Sequence, residues 1–299
     1  MKSIKELIST ASFSINKATK HELSTSYIEA RVIFCYVASI SHETLIRKYD
    51  ENISTEIEKS YLSLIKRRIN LEPIAYIISS QEFYSRNFFV NQNVLIPRSD
   101  TELIIDITLQ EIKIKQVKEN AERRFDILEM GTGSGAIIIS VLLKLANQSL
   151  VKSYKFTATD ISHLALEVAK HNANLHNIKD KISFIHSDWF EQFEQKYNKF
   201  DIIISNPPYI DINDKDISDE VAKSEPHIAL YAKDNGMAAY NIIVEGATIF
   251  LKNNGLLIFE IGYKQALMIK DKLISANFTN INIYQDIEGR DRVITAEKK

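Results

Sequence analysis

The chain has 299 residues, of which 45% are hydrophobic and 25% charged, with a formal net charge of −2. The length admits one large or two ordinary domains of about 100 to 200 residues each, and the composition excludes a fibrous or wholly disordered chain. The near-balanced charge supplies no overall attraction to phosphate, so direct nucleic-acid binding is not expected.

Met1 to Glu6 place an acid and polar residues where a signal peptide carries its apolar run, and no stretch of about 18 apolar residues occurs anywhere, so a cytoplasmic chain without a membrane anchor is expected. From Ile4 to about Ile69 apolar residues recur at helical spacing, as in Ile4, Leu7, Ile8 and Ala11 and again in Ile57, Tyr61, Leu64, Ile65 and Arg68. A helical domain over residues 1–73 follows. Ser24-Thr25-Ser26 is the expected N-cap run of the helix carrying Ile28 to Val37, and Ser54-Thr55 that of the next one. Cys35, the single cysteine, sits among Val32, Ile33, Phe34, Tyr36 and Val37, which predicts a buried core thiol; alone it excludes an intrachain disulfide and a cysteine-rich zinc site, and no metal is expected. Lys66-Arg67-Arg68 reads either as a solvated face complementing the helix dipole or as a contact for an acidic partner, the first being preferred.

Glu72-Pro73 ends the helical part, and residues 74–97 mix β-branched and aromatic residues around Asn-rich turns, which predicts a β-hairpin linker. In residues 98–299 a helix from about Thr101 is followed by alternating elements: strands at Phe125–Met130, Phe156–Asp160, Ile182–His186 and Asp201–Ser205, with helices from Ser134 and Ser162. Helices around Ala238–Leu251 and Gln265–Ala276 and strands at Leu256–Glu260, Ile281–Gln285 and Arg292–Ala296 complete the series. Such alternation predicts an α/β fold with a mostly parallel, doubly wound sheet.

The first strand of that series runs into Gly131-Thr132-Gly133-Ser134-Gly135 and then an apolar helix, the order of a nucleotide-type site. Glycines let the chain turn with positive φ and let a ligand approach the backbone, while the helix N-terminus favours an anionic group. No Lys-Ser/Thr follows, which disfavours a P-loop, and the Gly-x-Gly-x-Gly spacing disfavours a dinucleotide. The next strand ends in Asp160, whose carboxylate can take both hydroxyls of a ribose; its competing reading is a helix N-cap, a role Ser162 also claims. Together they suit the adenosine of S-adenosylmethionine. Asp188 can bind the adenine amino group and Trp189 can cover the ring, although Trp189 reads equally well as core.

The fourth strand delivers Asn206-Pro207-Pro208-Tyr209 to the carboxyl edge of the sheet, where ligands bind in open α/β folds. Two prolines cannot donate to a ladder and fix a rigid turn. An NH2 group conjugated to a carbonyl or ring is a poor nucleophile with two hydrogens to place. The Asn206 side-chain oxygen and the Pro207 carbonyl can accept them, and Tyr209 can pack on the flat amide. Neither a metal nor a covalent nucleophile is needed, and His227 is expected to be structural or peripheral.

These residues, with Glu72–Tyr76, Glu82-Phe83, Leu95–Glu102, Asp188–Phe190, Glu225–Leu230, Glu260–Gly262 and Gly289–Arg292, resemble the HemK/PrmC family of release factor glutamine methyltransferases over nearly the whole chain. The resemblance implies a Rossmann-like class I methyltransferase domain with a seven-stranded sheet whose last strand is antiparallel, behind a substrate-docking helical domain and a hairpin. It further implies S-adenosylmethionine as donor, S-adenosylhomocysteine as product, and the glutamine of the Gly-Gly-Gln motif in class I peptide-chain release factors as target. By it Gly131 to Gly135, Asp160, Trp189 and Asn206 bind the donor, and Asn206 to Tyr209 hold the glutamine; Asp188 joins the donor site on the residue reading above, and a monomer is expected. Leu71, Ser80 and Ser99 depart from the family's usual Gly, Gly and Pro, which bears on linker stiffness, and Glu129 stands where Asp is usual and keeps the acid. Asn-Pro-Pro-Tyr also resembles the adenine amino methyltransferases of nucleic acid, and the same site serves glutamine methyltransferases of ribosomal protein. A non-catalytic binding module on the same fold is the remaining alternative.

Overall fold

A computed structural model describes residues 3–119, 124–146, 154–194, 196, 199–214 and 217–299. The chain forms two compact units, Met1–Ser80 with Asp216–Glu225, and Gln81–Lys215 with Pro226–Lys299.

The first unit is helical: α1 (Ile4–Thr19), α2 (Leu23–Ala38), α3 (His42–Arg47), α4 (Thr55–Ile69) and the single turn α5 (Ile74–Ile77), joined by α9 (Asp219–Ser224) from later in the chain. Ser3 and Glu6 close a capping box at the start of α1, and Ser54 caps α4 as its sequence implies. Ser24 to Ser26 do not cap α2. That helix begins at Leu23 behind Glu22, because this start turns Ser26, Glu29, Ala30, Ile33 and Phe34 inward on one face. Cys35 is only half-buried, its Sγ 3.7 Å from His42 Nδ1, because Ile33 and Phe34 take the core positions on either side of the α2 stripe. The basic run at the end of α4 is not uniformly solvated either. Arg68 is 1% exposed, its Nε 3.0 Å from Glu29 Oε2 and its Nη2 2.9 Å from Glu220 Oε2. Two carboxylates compensate the desolvated guanidinium, which is why the third residue of the run can face inward. The residues between Glu72-Pro73 and the hairpin divide between the units: α5 packs with the helices, and the hairpin begins the second unit.

That hairpin pairs β1 (Gln81–Phe83) with β2 (Arg86–Phe88) through Tyr84 and Ser85, which both adopt positive φ, the geometry of a two-residue hairpin turn made without glycine. There follow α6 (Glu102–Glu119), β3 (Phe125–Met130), α7 (Ala136–Ala146), β4 (Tyr154–Asp160), α8 (His163–Leu175), β5 (Ile182–His186) and β6 (Phe200–Ser205). The two-residue β7 (Ile210–Asp211), α10 (His227–Leu230), β8 (Tyr231–Ala232), α11 (Ala238–Phe250), β9 (Leu251–Glu260), α12 (Ala266–Ser275), β10 (Phe278–Gln285) and β11 (Asp291–Lys298) complete the fold.

Seven strands form one sheet in the order β10-β11-β9-β6-β3-β4-β5, parallel from β9 through β5, with the last strand, β11, antiparallel to both neighbours. The sheet is covered on both faces, which explains the continuous apolar strands. Side chains still alternate: Ile127, Ile202, Ile204 and Ile258 enter the core beneath α7, while Leu128, Ile203, Leu257 and Phe259 enter the one beneath α11 and α12. The chain leaves β3 toward β4 and β5 on one side and returns as β6 on the other. The gap between β3 and β6 at their carboxyl ends is therefore the topological switch point, where open α/β sheets bind ligands.

Candidate active site

Strand register alone aligns the candidate motifs. Met130 pairs with both Thr159 and Ser205, Asp160 pairs with His186, and Ser205 pairs with Phe259. The residues that follow or end these strands, Gly131, Asp160, Ser187, Asn206 and Glu260, consequently form a row across one edge of the sheet. Ser205 Oγ ties the two central strands by donating to the Met130 carbonyl at 2.9 Å.

A cavity of about 310 Å³ opens over this row within the second unit. That volume is within the range of small-molecule sites. Its wall includes Gly131, Thr132, Gly133, Ser134, Asp160, Asp188, Trp189, Asn206 and Pro208. Gly131 and Gly133 hold φ of +67° and +54°, a region that favours glycine, and space for a Cβ is open at both, so the constraint there is conformational. Asp160 Oδ2 accepts the Gly133 N–H at 2.9 Å and Oδ1 accepts the Ser162 N–H at 2.8 Å. The helix cap proper is Ser162, whose hydroxyl accepts from Ala165 N, which frees Asp160 to shape the glycine loop and face the cavity. Burial pushes the Asp160 carboxyl above its ordinary range, opposed by those two N–H donors. Trp189 lines the cavity and also packs against the core under α11.

Three singled-out residues do not line the cavity. Gly135 instead lets α7 approach α8, since a Cβ there would lie 2.9 Å from Ile139 Cδ1 and 3.3 Å from Ala169 Cβ. Pro207 is buried. Tyr209 points toward the end of β9, its hydroxyl 3.5 Å from Glu260 Oε1, so in this conformation its ring does not face a bound amide in the cavity. Burial first, and then the Glu260 carboxylate, raise the Tyr209 phenol above its ordinary range. His227 is exposed and stands edge-on to Tyr231, outside the cavity.

Other parts of the wall carry no chemical signature that periodicity alone would flag. Asn93, Val94, Leu95, Pro97 and Arg98 arrive from the segment after the hairpin. Asn172 fixes that segment, accepting the Phe89 N–H at 2.7 Å and donating to the Phe89 and Ser134 carbonyls at 2.9 Å. Ile228, Ala229 and Ile242 close the apolar side. Their sequence signals are the Leu95–Glu102 and Glu225–Leu230 runs.

Glu129, the last residue but one of β3, also lines the cavity while fully buried. Desolvation pushes its carboxyl to about 8 against a hydrogen bond from the Thr132 hydroxyl. With Asp160 and Asp188 it gives the wall three acids against Arg98 and Lys233. The two aspartates can accept hydrogen bonds from ligand hydroxyls and amino groups, which S-adenosylmethionine carries.

The family model for the Methyltransferase small domain matches residues 111–288, and that for the PrmC N-terminal domain matches residues 10–78. The chain is 40% identical to a Bifunctional methyltransferase of Rickettsia felis over 98% of its own length and 57% of that protein, so it spans little more than half of such relatives. It is 35% identical to the Release factor glutamine methyltransferase of Neisseria gonorrhoeae, covering 89% of this chain and 91% of that one. For the Release factor glutamine methyltransferase of Francisella tularensis the identity is 34%, over 95% and 94%. With both family models matched and such relatives aligned nearly end to end, the chain belongs to the release factor glutamine methyltransferase family.

Proposed function

We propose that this chain transfers the methyl group of S-adenosylmethionine to the side-chain amide nitrogen of the glutamine in the Gly-Gly-Gln motif of class I peptide-chain release factors. The observation that carries this reading is the orientation of Asn206. Its Nδ2 lies 3.4 Å from Thr101 Oγ1, and its Oδ1 has no hydrogen-bond partner among the described residues, on the wall of a cavity built by the glycine loop and Asp160.

Each oxygen of Asp160 has spent one lone pair on a backbone N–H, and the remaining ones take the ribose hydroxyls. Asp188 accepts from the adenine amino group, Trp189 covers the ring, and the backbone from Gly131 to Gly135 shapes the pocket for the rest of the donor. When bound, S-adenosylmethionine supplies a methyl group on a cationic sulfur: an N–C bond forms, the S–C bond breaks with its electron pair passing to sulfur, and positive charge moves to nitrogen. Asn206 Oδ1 accepts one amide hydrogen, aligns the nitrogen and stabilises the charge it develops until a proton leaves to water, while the Pro207 carbonyl, behind the cavity wall in this conformation, takes the other once the bound glutamine engages the turn. Pro208 and Tyr209 hold the turn that presents them. The first unit docks the release factor.

Transfer of label from S-adenosylmethionine to purified, unmodified release factor tests the reading, with a Gln-to-Ala variant of its loop, ribosomal protein and DNA in parallel. Label on the release factor that vanishes in the loop variant is expected. Label only on ribosomal protein or DNA would assign the site to that substrate instead.

A further inference from the structure

The turn that ends β4 gives all three of its residues, Asp160, Ile161 and Ser162, to the cavity wall. Its backbone carbonyls have separate destinations. That of Asp160 accepts the Ser187 N–H at 3.1 Å, continuing the pairing with β5, and that of Ser162 accepts the Leu166 N–H at 3.1 Å, opening the ladder of α8. The carbonyl of Ile161 lies between strand and helix and belongs to neither. It is met from the end of β5 by the imidazole of His186, whose Nε2 lies 2.8 Å away. A carbonyl can only accept, so Nε2 carries the proton of that bond. The ring is braced by His163, the first residue of α8, which stacks on it with centroids 3.6 Å apart and planes within 9°.

His186 stands outside the cavity wall, yet only one rigid unit separates it from a group that faces the cavity. The Ile161 carbonyl and the Ser162 N–H belong to the same peptide, which is planar and trans, so the two point in opposite directions and turn together. The Ser162 N–H is the donor that Asp160 Oδ1 accepts at 2.8 Å, while the Gly133 N–H holds Oδ2 at 2.9 Å. Fixing the carbonyl therefore fixes the N–H, and with it one side of the carboxylate. The bond to His186 also polarises the peptide and strengthens its N–H as a donor. We propose that His186 is a positioning residue for the methyl donor: through the Ile161–Ser162 peptide it holds the Asp160 carboxylate in the orientation that receives the ribose hydroxyls. The proposal rests on the reading of Asp160 as the ribose acceptor.

The test compares His186→Phe, which keeps a flat ring against His163 and loses the donor, with His186→Gln, whose Nε2 stands as many bonds from Cβ and keeps it. His186 is exposed, and both variants are expected to fold. Kd for S-adenosylmethionine, measured by calorimetry, should rise about fivefold in the phenylalanine variant and stay within about twofold of the parent in the glutamine variant, the change that one partly solvated hydrogen bond supports. S-adenosylhomocysteine and adenosine share the ribose and should weaken by the same factor. At saturating donor kcat should stay within about twofold, a split that general loosening of the fold would not produce. Parental affinity in folded His186→Phe, or equal weakening in both variants, overturns the proposal. Asp160→Ala separates it from the reading beneath it. Parental affinity in that variant sinks the ribose assignment and this proposal with it, whereas weakened binding there beside parental binding in His186→Phe sinks this proposal alone.

Discussion

Asn206 and Glu129 illustrate two ways in which a single side chain controls this site. In the proposed reaction Asn206 would offer one neutral acceptor to a nitrogen that becomes charged only as the methyl moves, and its contribution would belong mainly to the transition state. Asn206→Ala is expected to lower kcat by about 10²-fold, with folding stability nearly unchanged, because the residue is only half-buried. Steady-state kinetics beside a thermal melt check this, and near-normal turnover in the folded variant would remove Asn206 from the mechanism. Glu129 acts through its proton. Its carboxyl is held at about 8 by burial, far above the ordinary carboxyl value, so the folded protein binds a proton there that the unfolded chain releases. Its contribution to stability is therefore fully present below the unfolded value and is lost as pH rises toward 8. A cationic ligand reverses the preference, favouring the ionised carboxylate. Affinity for S-adenosylmethionine should rise with pH up to about 8, and binding at pH 7 should release a proton. Calorimetry in two buffers of different ionisation enthalpy measures that release, and Glu129→Gln should abolish it.

Among the elements, those legible in the sequence are the ones that a single periodicity specifies. Phe125–Met130 and Ile182–His186 match their expected strands, and the remaining sheet strands lengthen by a few residues, as β9 does by starting at Leu251. The site was legible in the same way, because Gly131, Asp160 and Asn206 each terminate such a strand. Elements specified by tertiary partners were not. The short α9 and α10 carry too few residues to show a period, Glu22 begins α2 without a side-chain cap, and Arg68 is inward only because Glu29 and Glu220 meet it. Nor does local sequence reveal which way Tyr209 turns. That is decided where the turn before α11 meets the start of α12: Gln265 donates to the Tyr209 carbonyl at 3.0 Å and accepts the Gly262 N–H at 3.2 Å, with Gly236 packed beneath. At φ +84°, a Cβ on Gly236 would lie 2.1 Å from the Tyr209 carbonyl oxygen and 2.6 Å from Gln265 Nε2. Gly236→Ala must therefore displace the Asn-Pro-Pro-Tyr turn. The expected cost is about 1–3 kcal/mol of stability together with a fall in kcat, read from thermal unfolding and turnover. An unperturbed melt with parental kcat would show that this turn has room to adjust.

At the scale of the molecule, the first unit is discontinuous in sequence, because Asp216–Glu225 leaves the segment that follows Asn-Pro-Pro-Tyr to pack with Met1–Ser80. Little apolar surface holds that insertion, for none of the residues of α9 is buried. Polar contacts attach it, including Glu220 to Arg68 at 2.9 Å, Glu220 to His21 Nε2 at 3.6 Å, and Ser224 Oγ to the Leu71 carbonyl at 3.2 Å. Arg68 thus does two jobs, neutralising Glu29 inside the helical core and latching α9. The two can be separated. Arg68→Ala leaves the buried Glu29 carboxylate with His21 Nδ1, at 3.0 Å, in place of its guanidinium, and should cost up to about 3–5 kcal/mol, unfolding the helical unit early. Pairing Arg68→Met with Glu29→Leu replaces the buried ions by apolar groups of similar size, and should restore that stability, since such exchanges are often neutral or better. The latch stays broken in the double variant, because Glu220 keeps only His21 among the described residues. Amide exchange should then be fast over 219–224 and unchanged in α4 and in the central strands β3 and β6. If the insertion presents release factor to the Asn206 turn, kcat/KM for the protein substrate falls in the double variant while Kd for S-adenosylmethionine holds. If exchange over 219–224 stays slow, the Ser224 and His21 contacts suffice, and Arg68 matters to the helical core alone.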